Sequence, residues 1–236
     1  MIKQWGMSLV ELMVSLFLSC LIMTVILEHY LNCKRQFIET QDLLERNADL
    51  QIISEMIRDS SRLAGFTPCI SIDRLNTGVA QLQAIKTDFG ARHALVINRM
   101  NEHFSEVIQI LSPSSLLVNR LTVFDGHLLL IADCFHAEVL KITAMQPTPA
   151  GLHIMIERPM IFTYNNPVYI GEWLEEQFFI EKNSRGQLSL FYYNRHADEL
   201  TEQINTLSAV SKGSLLEVSL GVKGKKPLLI ATRVRA

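Results

Sequence analysis

The chain has 236 residues, a length that suits one globular domain with one additional element. Apolar residues make up 48% of it and charged residues 19%, so a packed core is within reach. The net charge of −2 argues against a general nucleic-acid binder, and neither a low-complexity run nor an internal repeat stands out.

The chain opens with Met1-Ile2-Lys3-Gln4-Trp5-Gly6, a short polar leader ending in Gly. Met7 to Leu27 follows, 21 residues whose one charged member is Glu11. As a helix this run spans roughly 30 Å, the thickness of a bilayer's hydrocarbon core. A carboxylate at its edge is costly in lipid and points to a role. A secretory signal would end in small residues of the A-x-A kind, whereas Glu28-His29-Tyr30-Leu31 follows here. A plain signal anchor fits the length but accounts for neither Gly6 nor Glu11. The charge rule orients the segment weakly, since Lys3 lies on one side and Lys34 and Arg35 on the other.

Gly6, the carboxylate five residues beyond it and the apolar run resemble the class III signal of type IV pilins and pseudopilins. The resemblance implies cleavage between Gly6 and Met7 by a prepilin peptidase and N-methylation of Met7. It gives Glu11 a role in assembly and axial register, paired with the N-terminal amine of a neighbouring subunit. It also places the C-terminal bulk outside the inner membrane, in the periplasm and then in the pilus at the cell surface. Two departures stand out: Met7 replaces the Phe common after the cut, and the apolar helix lacks the Pro of many major pilins. The second hints at a minor subunit.

No Gly or Pro occurs from Met7 to Ala64. Leu43, Leu50, Ile53, Ile57 and Ala64 recur at helical spacing, with Leu44, Met56 and Leu63 widening the stripe. Gly65 supplies a stop and Pro68 bars resumption. One helix of about 55 residues, roughly 80 Å long, is expected. Its first half would lie in lipid and its second half against a sheet; a break near Asn32 is the alternative.

From about Val79 the pattern turns to short strands. They are read at 93–98, 106–111, 128–132, 137–145, 152–157, 168–181, 188–193, 214–222 and 227–234. Turns are read at Ser112-Pro113-Ser114, Asp125-Gly126, Pro147 to Gly151, Asn165-Asn166-Pro167, Asn183 to Gly186, and Gly224. The expected fold class is α+β: a pilin-like long N-terminal helix packed on an antiparallel β-sheet-rich C-terminal domain. The expected division is a leader at 1–6, a transmembrane half-helix at 7–30, an amphipathic half-helix at 31–65 and a globular domain at 66–236.

Four cysteines occur. Cys20 falls mid-membrane and Cys33 just beyond it. Outside the cytoplasm, Cys69 and Cys134 would commonly form a disulfide, worth on the order of 4 kcal/mol by chain entropy. Cys33 is a competing partner, though a rigid helix holds it near the membrane. The stretch from Glu45 to Cys69, ending Arg62-Leu63-Ala64-Gly65-Phe66-Thr67-Pro68-Cys69, resembles the helix end of PilW-type minor pilins. Ala132-Asp133-Cys134 with Ala137-Glu138-Val139 resembles that group's second Cys region. GspJ-type pseudopilins of type II secretion share the layout and remain a close alternative, as does a membrane-tethered periplasmic binding or enzymatic domain.

Asp133-Cys134-Phe135-His136 carries the right atoms for a nucleophile or metal cluster, but no second Cys/His pair stands at ligand spacing. A disulfide Cys beside a surface His is the better reading. Lys223, Lys225 and Lys226 read as a solvated hairpin tip. Trp173, Phe178, Phe179, Phe191, Tyr192 and Tyr193 read as core and cross-strand pairs. No nucleophile elbow, phosphate loop or dinucleotide motif occurs. The implied protein is a minor pilin without catalytic residue or cofactor, priming assembly near the pilus tip. Its partners would be other minor pilins, the major pilin, prepilin peptidase, the inner-membrane assembly platform and a tip adhesin.

Overall fold

The structure, a computed structural model, describes residues 9–78, 81–88, 94–121 and 127–235. The leader, the Gly6–Met7 junction, Val79, His93 and the Asp125-Gly126 turn lie outside the described residues.

α1 (Leu9–Arg62) is one uninterrupted α-helix of 54 residues, about 80 Å long. It runs through Asn32 without a break, as the absence of Gly and Pro requires. The chain forms two compact units, Met1–Ile52 and Ile53–Ala236. In the first unit the helix is solvent-facing: Leu43 and Leu44 are exposed, and Leu50 is the one half-buried member of the apolar stripe. The stripe becomes core only in the second unit, where Ile53, Ile57, Ser60 and Ser61 are buried. The Ser61 hydroxyl donates back to the Ile57 carbonyl (2.6 Å), which lets a polar residue sit in that core.

The helix ends through Gly65. Its φ of +70° disfavours any side chain, and a Cβ there would stand 2.7 Å from the Ala84 Cβ. The Gly65 N–H donates to the Asn98 carbonyl (2.8 Å), and the Met100 N–H donates to Phe66 (2.9 Å). A 3-10 turn (Ile72–Arg74) follows.

The strands are β1 (Ile85–Asp88), β2 (Ala94–Met100), β3 (Ser105–Ser112), β4 (Ser115–Val118), β5 (Leu128–Ala132), β6 (Ala137–Thr148) and β7 (Gly151–Ile156). After them come β8 (Tyr169–Lys182), β9 (Leu188–Asn194), β10 (His196–Thr201), β11 (Ile204–Lys212), β12 (Leu215–Val222) and β13 (Leu228–Arg233). All the pairings among them are antiparallel. The fold class is therefore α+β, a long apolar N-terminal helix followed by antiparallel sheets.

β8 organises the sheets. Its first half pairs with β3 on one flank and β5 on the other, and the path β8-β3-β4-β7-β6-β5 returns to β8. That path is a closed barrel, which removes exposed edges. Val107, Leu116, Leu129, Ile131, Leu140, Ile142, Ile154 and Ile170 fill it. The second half of β8 lies between β2 and β9, giving an open sheet ordered β1-β2-β8-β9-β10. β11-β12-β13 form a separate sheet whose β11 lies against β2, β8 and β9.

Candidate functional site

The feature with most functional content is the apolar part of α1. It is long and apolar enough to cross a membrane, and the most apolar window has none of its residues buried within the protein. Leu9, Val10, Met13, Phe17, Met23 and Val25 are each more than 60% exposed, a state that water would penalise heavily. Among the described residues of the span, the three hydroxyls are satisfied inside the helix. Ser15 donates to Leu12 (2.9 Å), Ser19 to Ser15 (2.7 Å) and Thr24 to Leu21 (2.8 Å). No polar hydrogen from those residues is left facing hydrocarbon, the condition for a spanning helix. Glu11 lies in the first described turn. Cys20 and Cys33 are free and exposed, with the Cys33 sulfur 3.8 Å from His29 Nε2, one turn back.

In the globular unit, Cys69 and Cys134 form a disulfide with Cα atoms 5.3 Å apart. The bridge joins the segment after the helix to the β5–β6 turn. An isolated parallel bridge between Asn76 and His136 runs beside it, with Asn76 N–H donating to Phe135 and Ala137 N–H to Asn76. With its sulfur in the disulfide, Cys134 is neither nucleophile nor ligand. Asp133 is buried and accepts from the N–H groups of Phe135 (2.7 Å), His136 (2.6 Å) and Asn165 (2.9 Å). Burial pushes its pKa up, but these donors together with the His136 ring outweigh that and hold it below the ordinary value. His136 is half-buried rather than on the surface, stacked on Phe162 at 4.7 Å. Glu138, also buried, accepts from the Tyr164 hydroxyl (2.7 Å) and the Ile161 N–H (3.1 Å). Burial and the Glu138 carboxylate push the Tyr164 hydroxyl far up, so it stays a donor. Among the described residues, no group of three His, Cys, Asp or Glu could hold a metal ion.

A second polar cluster, missed from sequence, stands on β8. Glu172 is buried, with its Oε1 bonded to the Arg195 guanidinium and 3.0 Å from His127 Nδ1. Its Oε2 accepts from Asn101 Nδ2 (3.2 Å). Four residues on, buried Glu176 pairs with Arg99 at 3.0 Å. The available signal was Glu172 and Glu176 at even spacing among the inward residues of a strand. Four of the six aromatics expected as core and cross-strand pairs are such pairs: Phe178 meets Tyr192 at 5.1 Å and Phe179 stacks on Phe191 at 5.6 Å, each in register across β8 and β9. Trp173 is half-buried and Tyr193 is exposed opposite Gln177, so neither is core.

No family model, curated protein or solved structure matches the chain. The pilin-like architecture therefore rests on the helix and the sheets themselves.

Proposed function

We propose that this chain is a minor type IV pilin of the PilW-like kind, joining a complex that primes pilus assembly near the tip. The observation that carries the reading is a single carboxylate, Glu11, at the start of an unbroken helix whose next 16 residues, 12–27, are uncharged and outward-facing. A carboxylate costs about 2.5–3.5 kcal/mol at the centre of a membrane helix. A positive amine from a neighbouring subunit lowers that cost and sets the axial register between the two chains.

In this reading the helix anchors the chain in the inner membrane with the globular unit in the periplasm. Prepilin peptidase cuts between Gly6 and Met7, and Met7 is N-methylated. The assembly platform then moves the subunit into a filament beside other minor pilins and the major pilin, with a tip adhesin as a further partner. No residue of this chain does chemistry. The disulfide and the buried carboxylates hold the globular unit together outside the reducing cytoplasm.

The test is the N-terminus of the membrane-extracted protein, read by mass spectrometry with and without the peptidase. A chain beginning at N-methylated Met7, absent without the peptidase, is the expected result. An intact Met1 in both strains would sink the reading and favour a tethered periplasmic domain. Replacing Glu11 with Ala should leave membrane insertion unchanged and deplete the subunit from sheared pili, measured by immunoblot. Recovery with secretion components instead of pilins would favour the GspJ-like alternative.

A further inference from the structure

We infer that the globular unit holds a binding site for a tetrahedral oxyanion, a phosphate or sulfate group. The site lies where the chain beyond β13 meets the 3-10 turn that follows the helix. It stands whether or not the chain is a filament subunit.

Ser71, Asp73 and Arg74 of the 3-10 turn, Ser211 and Ser214 around the β11–β12 turn, and Arg235 line one cavity of about 240 Å³. Hydrogen bonds to the main chain hold its walls. The Val234 N–H donates to the Ser214 carbonyl (2.8 Å) and the Arg74 N–H to the Ser71 carbonyl (3.0 Å). The Ala84 N–H donates to Asp73 Oδ1 (2.8 Å), which ties the 3-10 turn to the entry of β1. Walls fixed before a ligand arrives lower the cost of binding it. The volume is below the roughly 300–1,000 Å³ of sites for whole small molecules, so the cavity suits one charged group.

The sign of that charge follows from the wall. Arg99, Arg185 and Arg195 each meet a glutamate. Among the described residues, Arg74 and Arg235 meet no carboxylate within ion-pair distance. The one acid in the wall is Asp73, and one of its oxygens already serves Ala84. Two guanidiniums against one engaged carboxylate favour an anion. The Arg235 guanidinium carbon lies 5.2 Å from the centre of the Phe66 ring. That attraction places the charge without an oxygen acceptor, so its N–H groups stay available.

The number of donors decides the shape. A carboxylate holds its acceptor sites in one plane, which a single guanidinium fork satisfies. Here donors stand in more than one wall: Arg74 and Arg235, with the hydroxyls of Ser211 and Ser214. Ser71 adds a hydroxyl with no partner among the described residues, on a residue only 2% exposed. A phosphate group spreads three strong acceptor oxygens in three directions and uses donors from several walls at once.

The test is isothermal titration of the full-length protein, in detergent micelles and phosphate-free buffer, with inorganic phosphate, sulfate and acetate. Phosphate or sulfate should bind about tenfold or more tightly than acetate, and the affinity should fall as sodium chloride is added. Arg74→Gln and Arg235→Gln should each weaken binding about tenfold, the worth of one hydrogen bond to a charged group. Both side chains are exposed, so near-ultraviolet circular dichroism should not change. Arg235→Lys keeps the charge, loses the fork and should weaken binding less than Arg235→Gln. Ser71→Ala should weaken binding without lowering the melting temperature, since its hydroxyl has no partner to lose. Glycerol 3-phosphate separates the sources: tighter binding than inorganic phosphate assigns an ester, weaker binding a free anion, and either sustains the site. No heat from either oxyanion, or equal binding of acetate, would overturn it. So would affinity unchanged in the Arg74→Gln, Arg235→Gln double variant, which would leave an adventitious ion only.

Discussion

Asp133 and Glu138 are buried carboxylates that keep a connection in place. Between them they accept the main-chain N–H groups of Ile161 and Asn165 and the hydroxyl of Tyr164, all in the segment that leads from β7 to β8. Unsatisfied, those groups would each cost about 1–3 kcal/mol. Tyr164→Phe should therefore destabilise the globular unit by about 1–3 kcal/mol, read from the midpoint of urea denaturation. Asp133 adds a dependence on pH. Its folded pKa lies below the ordinary 3.8, so its contribution is complete above that value and is lost as pH falls through the depressed one. Asp133→Asn should lower stability at pH 7 and flatten its fall below about pH 4, compared by denaturation at both pH values. The sequence showed Asp133 only as a neighbour of Cys134. Two of its three main-chain partners lie two and three residues on, a local Asp turn, but the third is 32 residues away and depends on loop conformation that no local pattern encodes.

At the scale of elements, α1 divides by what covers it. Ile57 is fully buried and Leu43 is 54% exposed, although both belong to one apolar stripe. Ile57→Ala should cost the globular unit about 2–5 kcal/mol, and Leu43→Ala within about 0.5 kcal/mol of nothing, both read from thermal melts in detergent. Removing the Cys69–Cys134 bridge by a double Ser substitution should cost about 2–5 kcal/mol by the same measurement. The helix was legible because 54 residues without Gly or Pro leave few alternatives; where its stripe stops being core was not, since periodicity marks a face and not its partner. The strand at 128–132 was read to the residue, and most others to within a few residues. β1, β4, β10 and β11 are absent from the sequence reading for different reasons. β1 and β4 have only four residues each, and β4 follows a tight turn. β10, His-Ala-Asp-Glu-Leu-Thr, is exposed over its first four residues and shows no apolar alternation. β11 carries a register shift between Ile204 and Thr206, which puts Ile204 out of phase with Leu207 and Ala209.

At the scale of the molecule, barrel closure and the Glu172 cluster were beyond sequence reading, because each depends on which strands pair across long separations. Helix-then-hairpins was enough for the fold class and silent on order. β8 is 14 residues long, with Ile170 inside the barrel and Phe178 in the open sheet. The barrel and the open sheet are thus built on one continuous backbone, and neither keeps its central member if the other comes apart. Native-state amide exchange at Ile131 in the barrel and Ile97, on the β8 side of β2 in the open sheet, should converge on one opening energy. Values separated by more than about 2 kcal/mol would mean that the two melt independently. A coupled strand of this kind leaves no half-folded species exposing one sheet's edge while the other stays native. That removes an intermediate from which edge-to-edge aggregation would start during folding.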